Sequence, residues 1–333
     1  MEILQPAQPE IITKEKIGNI AAAKLMLKIL TDTYGRHNLM ASIEKTSEDI
    51  GNDRLKPFFM TEGGQILCCS ALIYAPSCVE IGRTANAEKG RNGGKLMLHA
   101  VNEWKSDGSE NRPLVAEIRM ATKFEGVDGG QGSQATLLKK TGMIPNAFLP
   151  AFHHPGTNGI ERQEIFCFAS LEKTKSERVS PETVIVPNLL EMNIDLLSRL
   201  LEINEFNTRV KLTNLPNKAP LNFLKINTIP FSILKPDAKG KHLEEIDKVQ
   251  DSDNPFTLAT VNSFNPDLAR VSQNLIDNKF ILLGLTAPHQ GPLELLFGRL
   301  NKCLLVPTEP MREFPLIDPD IILRIHKQLI ERM

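Results

Sequence analysis

The chain has 333 residues, of which 41% are hydrophobic and 24% are charged, and this composition is typical of a soluble globular protein. Its length suggests two domains. With 39 basic and 40 acidic residues the net charge is −1, which argues against nucleic acid or an anionic membrane as a partner.

The cysteines and the chain start indicate the compartment. Of five cysteines, Cys68 and Cys69 are adjacent within an apolar run, and with Cys167 they are expected to be reduced and buried. No Cys/His cluster has the spacing of a metal site, so no metal is predicted. The sequence begins Met-Glu-Ile-Leu-Gln-Pro without a signal-peptide pattern, and its apolar runs are shorter than the roughly 20 residues of a membrane span. These features predict a cytoplasmic protein.

The first elements follow from periodicity and turn residues. Residues 19–31 are apolar except for a stripe of Lys24, Lys28 and Thr31, which predicts a helix with a narrow wet face. Gly63-Gly64 separates two apolar runs and predicts a β-hairpin.

A strand, a turn and a helix come next. Val79 to Thr84 is predicted to be a strand, and a turn rich in Gly and Asn follows. Met97, Val101 and Trp104 then share one helical face. Leu114 to Met120 alternates between apolar and mixed positions, which predicts a strand whose two faces have different surroundings.

The turn between the strand and the helix is the best candidate for a binding site. Backbone N–H groups at a helix N-terminus are unpaired and stabilise an anion such as a pyrophosphate. Gly90, Gly93 and Gly94 allow the backbone conformations that such a loop needs, and Asn92 tolerates them. A tight surface connection with no ligand is the alternative interpretation.

Two nucleotide motifs do not fit. A Walker loop requires Ser or Thr after Gly-Lys, whereas Leu96 follows Gly94-Lys95. Gly130 to Ala135 matches a short dinucleotide pattern, but it lies ten residues after Met120 and lacks the acidic residue of that motif, so the match is attributed to chance.

The strand, the turn and a later Gly142-Met-Ile-Pro unit resemble the GNAT N-acetyltransferase superfamily. The run Lys89-Gly-Arg-Asn-Gly-Gly94 corresponds to the family's pyrophosphate-binding turn, with Lys89 in place of Arg or Gln and Asn92 in place of the first Gly. The resemblance implies that acetyl-CoA is bound along one strand edge and at the turn. The residues implied are Ile81, Gly82, Arg83, Lys89, Gly90, Arg91, Asn92, Gly93, Gly94 and Lys95.

Acyl transfer to an amine also needs a base and an acid. Glu80, at the start of the strand before the turn, is the candidate base, although a solvated strand-end carboxylate is an equal interpretation. The family often has a Tyr as acid in its last helix, where this chain has Leu138. Ser133 is a candidate substitute, and a helix N-cap is its structural alternative. Glu117 and Arg119 share a strand face, where they either line the cleft or form an ion pair.

Other polar residues received a simpler interpretation. His153-His154 follow Pro150 on a predicted loop and could reach a substrate, although adjacent loop histidines usually have no such role. His99 is expected to be solvated on the polar face of its helix.

The second half resembles the first loosely. A linker is predicted at 174–181, between a GNAT-like acyl-CoA-binding domain (1–173) and a divergent GNAT-like domain (181–333). Ala135 to Pro150 and Leu268 to Pro288 both read as a helix, a turn and a strand, which suggests duplication.

The sequence therefore predicts an α/β (α+β) fold, with a mixed, mostly antiparallel GNAT-like sheet flanked by helices. The leading hypothesis is an acyl-CoA-dependent N-acyltransferase with acetyl-CoA as co-substrate and an unidentified amine as acceptor. The alternative is a non-catalytic acyl-CoA-binding or protein-interaction module, and a homodimer is left open.

Overall fold

The structure is a computed structural model of the chain. The residues that it describes are 9–34, 42–76, 78–87, 93–108, 112–120, 122–124, 127–128, 134–153, 162–172, 179–188, 193–214, 222–227, 231–236, 244–245, 256–286, 292–301, 309–310 and 316–332. No helix within these ranges is long and apolar enough to cross a membrane.

The chain divides into two compact units. The first comprises Met1–Glu117, Ser133–Met143 and Ser170–Thr174, and the second comprises Ile118–Gly132, Ile144–Ala169 and Lys175–Met333. Segments of the first half of the sequence thus cluster with the second half. The predicted domain boundary at 174–181 concerns independent folding, which this clustering does not test, and it stays a prediction.

The first unit contains five strands and five helices among its described residues. Their bounds are β1 Glu10–Thr13, α1 Lys14–Ile17, α2 Asn19–Tyr34, α3 Ile43–Gly51, β2 Leu55–Glu62, β3 Gln65–Tyr74, β4 Val79–Asn86, α4 Gly93–Ser106, β5 Leu114–Arg119 (which continues into the second unit after Glu117) and α5 Gln134–Thr141.

The sheet of the first unit has the order β1-β2-β3-β4-β5. The first four strands pair antiparallel, and β5 pairs parallel to β4 after the α4 crossover. Gly63 and Gly64, at φ 56° and 81°, form the predicted two-residue hairpin turn between β2 and β3. The predicted helix at 19–31, the strand at 79–84 and the alternating strand at 114–120 are all confirmed.

Helices cover both faces of this sheet. Ala22, Met26 and Leu30 of α2 pack with Cys69 and Ala71 of β3 in one buried cluster. On the opposite face α4 buries its predicted stripe, Met97, Val101 and Trp104 among others. The ring of His99 on α4 meets the ring of Phe58 edge-on at 5.2 Å, so this histidine is half-buried against the sheet instead of solvated.

The second unit contains the remaining elements. They are β6 Thr122–Phe124, β7 Val127–Asp128, β8 Ile144–His153, β9 Arg162–Leu171, β10 Thr183–Pro187, α6 Ile194–Ile203, β11 Arg209–Thr213, β12 Asn222–Asn227, β13 Phe231–Pro236, β14 Glu244–Glu245, β15 Phe256–Asn262, α7 Leu268–Asp277, β16 Ile281–Thr286, β17 Glu294–Leu300, β18 Glu309–Pro310 and α8 Pro319–Glu331.

Its main sheet runs β9-β8-β16-β17-β15-β13-β12-β14. The strands β15, β16 and β17 pair antiparallel, while β13 and β15 pair parallel over four residues, from Phe231 with Phe256 to Leu234 with Ala259. Parallel ladders also join β4 to β5 and β10 to β11. The predicted α+β class, with a mixed and mostly antiparallel sheet flanked by helices, is confirmed.

The predicted helix–turn–strand echo is present locally. The helix α5 ends at Gly142, with φ 79°, before β8, and α7 ends before Lys279, with φ 69°, which precedes β16. The two halves of the sequence therefore share this local helix–turn–strand unit.

Candidate functional site

The parallel strands β4 and β5 pair over only two residues. Val79 pairs with Leu114 and Glu80 with Val115, although β4 continues to Asn86 and β5 to Arg119. The backbone edge from Ile81 to Arg83 is therefore not used by β5, and N–H and C=O groups that no neighbouring strand uses are available to an extended ligand.

A β-bulge in β4 accompanies this loss of pairing. The register with β3 shifts between Gly82, which faces Ala71, and Ala85, which faces Cys69. Within the bulge Arg83 has φ 53°, which is uncommon for a residue with a side chain. A bulge bends its strand and increases the local twist, which explains why β4 leaves β5 at this point.

Three ionisable side chains, those of Glu80, Arg83 and Glu117, lie close to the point where β4 separates from β5. Glu80 and Gly82 pair with Ile73 and Ala71, and they share the face that α2 covers. Glu117 lies two residues after Val115, the partner of Glu80, so it projects from the same face. Electrostatic coupling links Glu117 to Glu80 and Glu80 to Arg83, which places the three charges in one neighbourhood.

The surroundings shift the pKa values of these groups. Loss of hydration raises the pKa of Glu117 to about 7, and the neighbouring Glu80 carboxylate adds to the rise. Burial also raises the pKa of Glu80, while Arg83 opposes that shift. Glu117 is nonetheless accessible to solvent. Its carboxyl can therefore exchange a proton with a bound molecule.

The N-terminus of α4 lies beside the end of β4. A Cβ on Gly93 would lie 3.1 Å from Asn86 Oδ1 and 3.6 Å from Thr84 Cγ2, so the helix starts against the strand and glycine fits there. Thr84 is held on this face by a 2.8 Å hydrogen bond between its hydroxyl and that of Ser70. Gly94 and Lys95 follow in the first helical turn, with Lys95 exposed.

Part of the predicted site lies outside the described residues. Lys89, Gly90, Arg91, Asn92, the candidate acid Ser133 and His154 all belong to that part, so their roles stay predictions. Leu138, in the position where the family often has Tyr, is buried on α5. Tyr74 is engaged elsewhere, since its hydroxyl donates a 2.6 Å hydrogen bond to Asp107.

The predicted burial of Cys68, Cys69 and Cys167 is confirmed. Cys68, Cys69, Cys78 and Cys167 are free, and burial raises the pKa of Cys68 to about 11 and that of Cys69 to about 12. Such thiols stay protonated and unreactive at neutral pH. No group of three or more His, Cys, Asp or Glu side chains could hold a metal ion among the described residues.

Comparison with known proteins gives matches of structure only. No protein-family model and no curated protein matches the sequence. The chain is similar to the ribosomal-protein-S18-alanine N-acetyltransferase of Escherichia coli, with 16% identity and a TM-score of 0.36 over 51% of this chain and 96% of that one.

Two further solved structures extend this result. An N-acetyltransferase from Staphylococcus aureus matches with 17% identity and a TM-score of 0.35, covering 51% of this chain and 100% of that one. A GNAT family acetyltransferase from Elizabethkingia anophelis, which has acetyl-CoA bound, matches with 18% identity and a TM-score of 0.32, covering 49% and 97%. These similarities concern the fold over about half of the chain, and they do not extend to activity or substrate.

Proposed function

We propose that the chain is an N-acyltransferase that moves an acyl group, with acetyl as the first choice, from acyl-CoA to an amine. The observation that carries the proposal is the separation of β4 from β5 after Glu80, beside a helix N-terminus and a carboxyl whose pKa is about 7. A strand edge, an anion site and a base are the three parts that this reaction requires.

The cofactor would bind along β4 and at the start of α4. The edge from Ile81 to Arg83 would pair with the amides of the pantetheine arm, as an added strand does. The N–H groups of Gly93 and Gly94, with the positive end of the helix dipole, would hold the pyrophosphate. Lys89 to Asn92 and Lys95 would add amides and positive charge around the phosphates.

Glu117 would receive the proton of the acceptor amine. Its pKa of about 7 suits a base that works at neutral pH, whereas the sequence alone favoured Glu80. The free amine would attack the thioester carbonyl, forming the C–N bond and breaking the C–S bond. The tetrahedral intermediate would lose the second amine proton to water, and the CoA thiolate would take a proton from solvent or from Ser133.

The second half would be a duplicated copy without a cofactor cleft. The repeated helix–turn–strand unit supports the duplication, and the parallel ladder between β13 and β15 covers four residues where that between β4 and β5 covers two. The rival function, an acyl-CoA-binding module without catalysis, is favoured by Leu138 at the position where an acid is usual. A homodimer is compatible with either function.

The function is tested by measuring acetyl-CoA binding by calorimetry and thiol release in the presence of a panel of amines. We expect binding together with amine-dependent thiol release, and Glu117→Gln should retain binding and lose at least about 100-fold in kcat. Binding without release for any amine would support the binding module. Absence of acetyl-CoA binding would contradict both functions.

A further inference from the structure

Arg83 is a half-buried cation at the proposed site, and it has no partner among the residues that the structure describes. Its guanidinium makes no hydrogen bond or ion pair with any described residue, and only its backbone carbonyl is used, as acceptor for the Cys69 thiol at 3.5 Å. Glu80 and Asp49 act on it electrostatically without contact within 4.0 Å. Desolvating an arginine without a paired anion is unfavourable, so a ligand that supplies the anion would stabilise this arrangement.

The position of Arg83 argues against a phosphate of the cofactor as that anion. Its coupling to Glu80 and to Asp49 of α3 places it on the face that α2 and α3 cover. The N-terminus of α4 meets Thr84 and Asn86, and the side chain of Thr84 is bonded to Ser70, on the opposite face of the sheet. The anion would therefore belong to the acceptor, which approaches on the same face as Glu80 and Glu117.

We infer that the acceptor is a zwitterionic amine of the amino-acid type, whose carboxylate pairs with Arg83 while its ammonium group lies at Glu117. This inference rests on the proposed function and names its substrate class. The planar guanidinium matches a carboxylate in a two-point hydrogen-bonded pair. Gly82 lies level with Glu117 in the strand register, and it directly precedes Arg83. The carboxylate and the ammonium group of the acceptor would therefore be separated by only a few bonds.

The distribution of charge distinguishes this acceptor from a polyamine. If Glu80 and Glu117 stood alone, they would attract any ammonium ion, including a polyamine. Arg83 lies beside them, and its positive charge repels a second ammonium group. Asp49 does not remove the repulsion between Arg83 and a second ammonium group, because the Asp49 carboxylate already forms an ion pair with Lys45 at 3.3 Å. A carboxylate on the acceptor would pair with Arg83, and the acceptor's ammonium group would then interact with Glu80 and Glu117.

The test compares amino acids with the amines that remain when their carboxylate is removed. The pairs are alanine with ethylamine, norvaline with n-butylamine, and lysine with 1,5-diaminopentane, each acylated by the wild-type chain at saturating acetyl-CoA. We expect the amino acid to have about a 100-fold higher kcat/KM than its amine in at least one pair, the size expected for a desolvated charge pair.

Two variants assign the preference to Arg83. Arg83→Gln should raise the KM of the preferred amino acid about 100-fold relative to the KM of the matched amine, whereas Arg83→Lys, which keeps the charge but loses the planar fork, should give an intermediate ratio. Both variants have unbranched side chains, which suit the positive φ of residue 83, and the acetyl-CoA affinity of each is measured as a control for the backbone edge of β4. A change in acetyl-CoA affinity alone would assign Arg83 to the cofactor and overturn the inference.

The remaining outcomes are also decisive. Equal or better turnover of the amines in all three pairs would overturn the zwitterionic acceptor while leaving acyl transfer intact. If acetyl-CoA binds and none of the six compounds is acylated, the proposed transfer fails for them, and calorimetric titration of the same compounds decides the inference. Binding of an amino acid that Arg83→Gln abolishes would support it, and binding that is absent or independent of Arg83 would overturn it.

Discussion

Gly82 leaves the space in which the carboxylate of Glu80 lies. A Cβ on residue 82 would stand 2.7 Å from Glu80 Oε1, a separation that real Cβ atoms do not reach. The carboxylate therefore extends along the face of β4 over the glycine, level with Glu117 across the opening. The absence of a side chain at position 82 thus determines where one member of the carboxylate pair lies.

Replacing Gly82 with Ala tests this relationship. The obstacle is the end of a flexible side chain, so Glu80 can move aside and the melting temperature should change little. The displaced carboxylate should lower kcat/KM for the acceptor about tenfold, because positioning errors of about 1 Å are costly in catalysis. Calorimetry should give an unchanged acetyl-CoA Kd, and loss of that affinity would mean that residue 82 acts on the cofactor.

The helix N-terminus makes a separate prediction for cofactor binding. Gly94→Glu places a negative charge where the pyrophosphate would lie and should weaken acetyl-CoA binding at least about 100-fold. Gly94→Ala is the matched control, since it adds only a methyl group and favours the helix, and it should retain most of the affinity. Equal affinity in the two variants would show that no phosphate approaches Gly94.

The pH dependence of turnover should report Glu117. With a pKa of about 7, kcat/KM should rise with pH and level off above that value. Glu80→Gln removes the neighbouring negative charge, so ionisation of Glu117 becomes easier and the rising limb should move to lower pH. A limb that stays in place in this variant would show that Glu80 and Glu117 do not interact.

Stability should depend on pH through the same group. The pKa of Glu117 is about 7 in the folded chain and about 4.3 in an unfolded one. The folded state thus holds more protons between these values, and stability falls as pH rises through that window. Glu117→Gln removes this loss of stability at high pH. The variant should therefore melt at a higher temperature than the wild type at pH 8 and at a similar temperature at pH 5. A variant that melts lower at pH 8 would contradict the raised pKa.

Much of the first unit follows from its sequence, because periodicity and turn residues act locally. The alternation from Leu114 to Met120 placed Glu117 on the mixed face, and Gly63-Gly64 determined a hairpin. The importance of Glu117 did not follow, because β4 and β5 are joined through α4 and local pattern does not reveal which residues face each other. The bulge at Arg83 was equally hidden, since arginine has no preference for positive φ.

The most direct test of the account is a calorimetric titration of the whole chain with acetyl-CoA. The two-residue ladder between β4 and β5, set against the four-residue ladder between β13 and β15, leads us to expect one binding site per chain, which Gly94→Glu removes. No binding, two sites per chain, or a single site that persists in Gly94→Glu would contradict it.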